Sequence, residues 1–129
     1  MIIILLLIFS VSASLSFVQH SEADPYEVAL KKAIELDKDG FYEESIGYWK
    51  KSLKDSPANI RLYSSLKISR TYTRLGNLIR AEEISQALKE SHPSYYESWF
   101  NYANTAGALK KYSQAVSAFK KSIAIKPKE

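Results

Sequence analysis

Residues 96–129 read YESWFNYANTAGALKKYSQAVSAFKKSIAIKPKE, and this stretch decides the architecture of the chain. Trp99, Ala103 and Ala106 follow one another at spacings of four and three, so they share one face of a helix. Tyr112, Ala115 and Phe119 line a second helical face, and Pro127 closes the stretch. Ala103 and Ala115 are small enough to let two antiparallel helices approach closely, while Trp99, Tyr112 and Phe119 fill the space around that contact. Ser94 followed by Glu97 has the spacing of a capping box and predicts the start of the first helix there.

The prolines extend this unit backwards. They stand at 25, 57, 93 and 127, so they are spaced 32, 36 and 34 residues apart. Proline inside a helix loses a hydrogen bond and clashes one turn back, so a regular interval marks where helical units end and restart. Counting back from Pro93 gives a unit over 62–95, with Ile68, Ser69 and Tyr72 on a first helix, a turn at Gly76-Asn77, and Leu78, Ala81 and Leu88 on a second. Ser85 falls where bulk is expected, and Ile84 beside it supplies that bulk. Counting back from Pro57 gives a unit over 26–59, with Ala29, Ala33 and Leu36, a turn at Asp39-Gly40, and then Tyr42, Ser45, Trp49 and Leu53. Asp24-Pro25 reads as an N-cap followed by proline at the first helical position. Lys32 replaces an apolar residue, which suits a first helix with nothing packed before it. Ile60 and Arg61 are two extra residues between units, to be absorbed by a longer helix.

The order W-x2-hydrophobic-small-x2, then A-x3-F, then P resembles a tetratricopeptide repeat, a helix–turn–helix unit of about 34 residues. Tyr102 stands where that motif prefers Leu, Ala103 where it prefers Gly, and Ala106 where it prefers Tyr. The resemblance covers three units, about 26–59, 62–95 and 96–129, within a domain spanning 22–129. It implies an all-α fold: a tetratricopeptide-type α-solenoid of three antiparallel helix pairs, six helices, stacked into a right-handed superhelix.

The same resemblance implies a non-catalytic protein–protein interaction module that binds a peptide or protein in a concave groove lined by the first helices. The groove positions carried over are Leu30, Lys31 and Ile34 (with Glu27 and Lys38) from the first unit. The second contributes Tyr63, Leu66, Lys67, Arg70 and Arg74, and the third Phe100, Asn101 and Asn104 (with Glu97 and Ala108). Lys67, Arg70 and Arg74 share a helix face by their spacing, so a basic patch should flank an apolar floor and favour an acidic or carboxylate-bearing partner. Domains of this family that clamp chaperone C-termini use Lys and Asn in the first unit and Lys and Arg in the third. Leu30, Ile34, Glu97 and Asn101 hold those positions here, which argues against that ligand. On the last helix Val116, Phe119 and Ile123 have little to cover them, an edge suited to homo-oligomer formation or a partner protein.

Charge and composition narrow the alternatives. The net charge is +4, from 18 basic and 14 acidic residues. It runs from −1 over 26–59 (six basic, seven acidic) to +2 over 62–95 (five, three) and +4 over 96–129 (six, two). The gradient is too diffuse to point to nucleic acid. The rival to the groove is electrostatic attachment of the basic second and third repeats to an acidic surface, anionic lipid or nucleic acid. There is no cysteine, so disulfides and thiolate chemistry are excluded. Glu43-Glu44 and Glu82-Glu83 read as charges at helix starts rather than acid–base dyads. His20 and His92 are isolated, so no metal, cofactor or catalytic residue is expected.

Residues 2–18 carry no charge and open with Ile2-Ile3-Ile4-Leu5-Leu6-Leu7-Ile8-Phe9. Residues 1–21 therefore read as a signal peptide, with cleavage after Ala13 or a few residues later, or as an uncleaved signal anchor. Either way the expectation is an exported domain, periplasmic or extracellular, or one anchored to a membrane by residues 2–18.

Overall fold

Pro25 opens the first helix at the position where its missing N–H costs nothing, and the Asp24 N–H donates to Glu27 Oε2 at 3.3 Å to fasten that first turn. In the computed structural model, residues 22–127 are described; the expected signal or anchor, residues 1–21, lies outside them. Among the described residues there are six helices: α1 (Pro25–Lys38), α2 (Tyr42–Lys51), α3 (Ala58–Arg74), α4 (Leu78–Ser91), α5 (Tyr96–Ala108) and α6 (Tyr112–Ile125). They pair in sequence order as α1/α2, α3/α4 and α5/α6, the tetratricopeptide-type stack, and none is long and apolar enough to cross a membrane. Ile60 and Arg61 are absorbed by α3, which at 17 residues is the longest of the six described helices.

Each pair is joined by the same turn. The N–H groups of Phe41, Asn77 and Lys111 reach back to the carbonyls of Leu36, Tyr72 and Ala106 at 2.8, 2.9 and 2.8 Å. Such a six-to-one bond belongs to a C-cap whose preceding residue is left-handed. Gly40 and Gly76 supply that residue at φ +84° and +79°. In the third unit the equivalent place holds Lys110 at φ +63°, where an L side chain crowds the following carbonyl.

Within each pair the backbones meet at small residues. Ala33, Ser69 and Ala103 are repeat-equivalent on the first helices, and Ser45, Ala81 and Ala115 on the second; all six are buried. The Ser69 hydroxyl donates directly to the Ala81 carbonyl at 3.1 Å, so a side chain that is polar still satisfies itself across the contact. Bulk sits around these contacts. Trp49, fully buried, packs with Ala33 and Ile68, joined by Leu30, Leu53, Tyr72 and Ile84, so one cluster ties the first pair to the second. Ile84 thus supplies the bulk that Ser85 lacks. A second cluster joins Tyr102, Ala103, Ala106, Ala115 and Ala118, with Trp99 and Phe119 against it.

Two local expectations are corrected. The Ser94–Glu97 capping box does not form, because α5 starts at Tyr96 with Tyr95 as N-cap and no side-chain cap. That start leaves Glu97 one residue short of the third helical position. The Trp99 indole N–H, donating to the Pro93 carbonyl at 2.8 Å, fastens the entry instead. Glu43 and Glu44 lie in the first turn of α2 as expected, but Glu82 and Glu83 lie beyond the first turn of α4. They form ion pairs with Lys111 and Arg80 at 2.6 and 3.6 Å.

The left-handed Lys110 is a removable strain. Replacing it with glycine should raise stability by about 1 kcal/mol, and Gly76→Ala should lower it by a similar amount. Urea denaturation followed by circular dichroism checks both, and no gain for Lys110→Gly would mean that the third turn is unstrained.

Candidate functional site

The first helices of the second and third units present the same register to each other. On α3, Tyr63, Leu66, Lys67 and Arg70 follow spacings of three, one and three; on α5, Glu97, Phe100, Asn101 and Asn104 do the same. These eight residues line one cleft of about 530 Å³ between the two helices. Asn59, Leu62 and Tyr95 complete its lining.

The floor is aromatic and held in place. Phe100 and Tyr63 are exposed, yet each rests edge-on against a ring beneath it: Phe100 on Phe119 with centroids 5.6 Å apart, Tyr63 on Trp49 at 5.8 Å. Edge-to-face pairs of this kind fix ring orientation. Tyr95 adds a third exposed ring at the start of α5. Asn101 is buried beside them, and its Nδ2 has no hydrogen-bond partner among the described residues. A buried amide left unpaired carries a desolvation penalty that an incoming acceptor would relieve.

The rim is charged. Lys67 Nζ lies 5.4 Å from the Tyr63 ring centroid. Burial first, then the neighbouring Arg70 guanidinium, pushes the Lys67 ammonium below the usual lysine range, while Asp37 pulls the other way. Arg70 is exposed, and Glu97 lies across the cleft from this pair.

The remaining expected groove residues go elsewhere. Arg74 turns from the patch to Asp37 at 3.6 Å and stacks over the Tyr42 ring at 5.1 Å, joining the first unit to the second. The basic patch of the cleft is thus two residues rather than three. Leu30 packs on the Trp49 cluster, and Lys31 and Ile34 are exposed outside the cleft lining. Phe119, expected on the open edge of α6, is half-covered by the core of its own pair and by Phe100, which leaves Val116 and Ile123 as the exposed apolar residues of that trio. Asn59 and Tyr95 escape a repeat-aligned reading for a physical reason. Helix α3 begins at Ala58, before the unit boundary, and Tyr95 belongs to the turn that closes the unit before its own helix.

Comparison with known proteins agrees with this geometry. Residues 96–129 match the family model described as tetratricopeptide repeat. Among solved structures, the first TPR of Spaghetti (RPAP3), bound to the HSP90 peptide SRMEEVD, is similar with a TM-score of 0.70 at 21% identity, over 86% of this chain and 86% of that one. MamA AMB-1 is similar with a TM-score of 0.64 at 22% identity, over 88% of this chain, which spans 66% of that one. No curated protein matches the sequence. The third helix pair thus matches the tetratricopeptide-repeat model by sequence, and the six described helices together share the tetratricopeptide-repeat fold.

Proposed function

We propose that this chain is a non-catalytic interaction module that captures an extended peptide segment in the cleft between α3 and α5. The observation that carries the reading is the convergence of three exposed rings, Tyr63, Tyr95 and Phe100, on one concave surface. Large rigid aromatics gather binding energy when buried by a partner, at about 1.5–3 kcal/mol for a ring of Phe size. The unpaired Asn101 amide is the polar complement: its terminal torsion is soft, so a small rotation offers the N–H to a main-chain carbonyl.

Lys67 and Arg70 favour a carboxylate on the bound segment, since a guanidinium donates two parallel N–H bonds to its oxygens. A solved domain of the same fold holds the acidic peptide SRMEEVD, which supports peptide capture as a use of this scaffold. The segment bound here is proposed to differ from that one, because Leu30, Ile34, Glu97 and Asn101 occupy the places where chaperone-tail clamps carry other residues. The uncharged residues 2–18 support presentation of the module beyond or at a membrane, by a signal peptide or an anchor.

Selection of a random displayed-peptide library on the full chain tests the reading. Selected peptides should be rich in apolar and acidic residues, and Phe100→Ser should weaken them at least about tenfold, or 1.4 kcal/mol. Binding that ignores Phe100→Ser and collapses with added salt would instead assign the interaction to diffuse surface charge. The Lys67 environment adds a pH signature. Its ammonium is already held below the usual range, so it loses its proton early as pH rises. Affinity for an acidic peptide should therefore begin to fall at a lower pH than an ordinary lysine would impose, and Lys67→Met should weaken binding at neutral pH and flatten that fall. An identical pH profile in both proteins would remove Lys67 from the site.

A further inference from the structure

The two ends of the helix stack fit each other by the repeat's own register. At the junction of the second and third units, Glu82 on α4 pairs with Lys111 at 2.6 Å. Lys89, two turns on, lies 4.0 Å from the Tyr102 ring and 5.5 Å from Trp99. One repeat further, 34 residues on, the positions of Glu82 and Lys89 are held on α6 by Val116 and Ile123, which are 52% and 74% exposed. Two repeats back, by 34 and then 36 residues, the positions of Lys111, Tyr102 and Trp99 are held by Phe41, Lys32 and Ala29.

Phe41 and Lys111 are both N-caps of second helices, so the equivalence is structural as well as numerical. A second copy that continued the stack would set Val116 against Phe41, itself 53% exposed, where the internal junction has an ion pair. Ile123 would fall on the aliphatic stem of the exposed Lys32, beside the buried Ala29. Val28 belongs to the same face: its counterparts Ser64 and Ser98 are fully buried, whereas Val28 is 60% exposed beside an open cleft of about 700 Å³. Charge agrees, since the first unit carries −1 and the third +4. Apolar pairing suits a contact between molecules, which must offset lost translational freedom. An internal junction is already tethered and needs no such gain.

We propose that copies of this chain associate head to tail, α6 of one copy seating on α1 and the start of α2 of the next. The contact is heterologous and leaves a free end on each side, so it extends to chains rather than closing as a dimer. It does not depend on the peptide cleft between α3 and α5.

The absence of cysteine makes the test direct. Phe41→Cys and Val116→Cys variants of the full chain are mixed under mild oxidation. The mixed disulfide should dominate, and adding Ile123→Glu to the Val116→Cys chain should reduce it about tenfold with helicity unchanged by circular dichroism. A Val116→Cys chain that pairs mainly with itself would show a symmetric contact and overturn the proposal. So would a mixed product no greater than that from Lys31→Cys, which lies off the contact. Protection of the Val116→Cys thiol from maleimide in dilute monomer would also overturn it, by showing that α6 is already covered within a single copy.

Discussion

The structure depends on the close approach of paired helices at residues with almost no side chain. Ala33 and Ser45, Ser69 and Ala81, and Ala103 and Ala115 are buried at equivalent places in the three units. With so little volume between the two backbones, the larger side chains are displaced to the flanks, where Trp49 and Ile68, or Tyr102 and Phe119, tie neighbouring elements together. Close packing of this kind tolerates little added bulk. A larger residue at one of these six positions would part the pair and tilt every helix after it. Because the pairs are thin, the first helices of the second and third units lie side by side, and the cleft between α3 and α5 is the space their outward faces leave.

The junctions between units are held differently from the pairs. Ser52 and Ser64 share a hydrogen bond at 2.7 Å, Thr73 and Thr105 another at 3.2 Å, and Glu82 meets Lys111 across the last junction. Such contacts add little net energy each, but an unpaired partner would be costly, so they enforce register more than they add stability. Arg74 belongs to this set. Its pairing with Asp37 explains why a residue on the right helix face is absent from the cleft lining. Apolar surface is left over where no junction consumes it: on the cleft floor, on α6 and on the outer face of α1.

Much of the candidate site is legible in the residues themselves. Helical periodicity alone puts Tyr63, Leu66, Lys67 and Arg70 on one face, and the 34-residue repeat transfers that face to Phe100, Asn101 and Asn104. The structure gathers all seven around one cleft. Leu30, Arg74 and Phe119 fail to follow for a common reason. Periodicity states which way a side chain leaves its helix, but not what another helix places in front of it. Leu30 meets the Trp49 cluster, Arg74 meets Asp37, and Phe119 meets Phe100. The Ser94 cap fails more locally, since the Trp99 indole captures Pro93 and the helix begins later than the capping pattern requires.

What the sequence determined by itself is the helix count, the pairing and the turns. These rest on interactions within a few residues: prolines that end helices, left-handed glycines that cap them, and alanines and serines spaced along one face. What the tertiary structure alone decided is the fate of equivalent positions. Leu30, Leu66 and Phe100 occupy one place in the repeat, yet Leu30 is half-buried against the Trp49 cluster, Leu66 half-buried in the cleft lining and Phe100 exposed over it. The difference lies in the neighbouring unit, some 34 residues away in sequence, whose side chains set how much water each copy of the position retains.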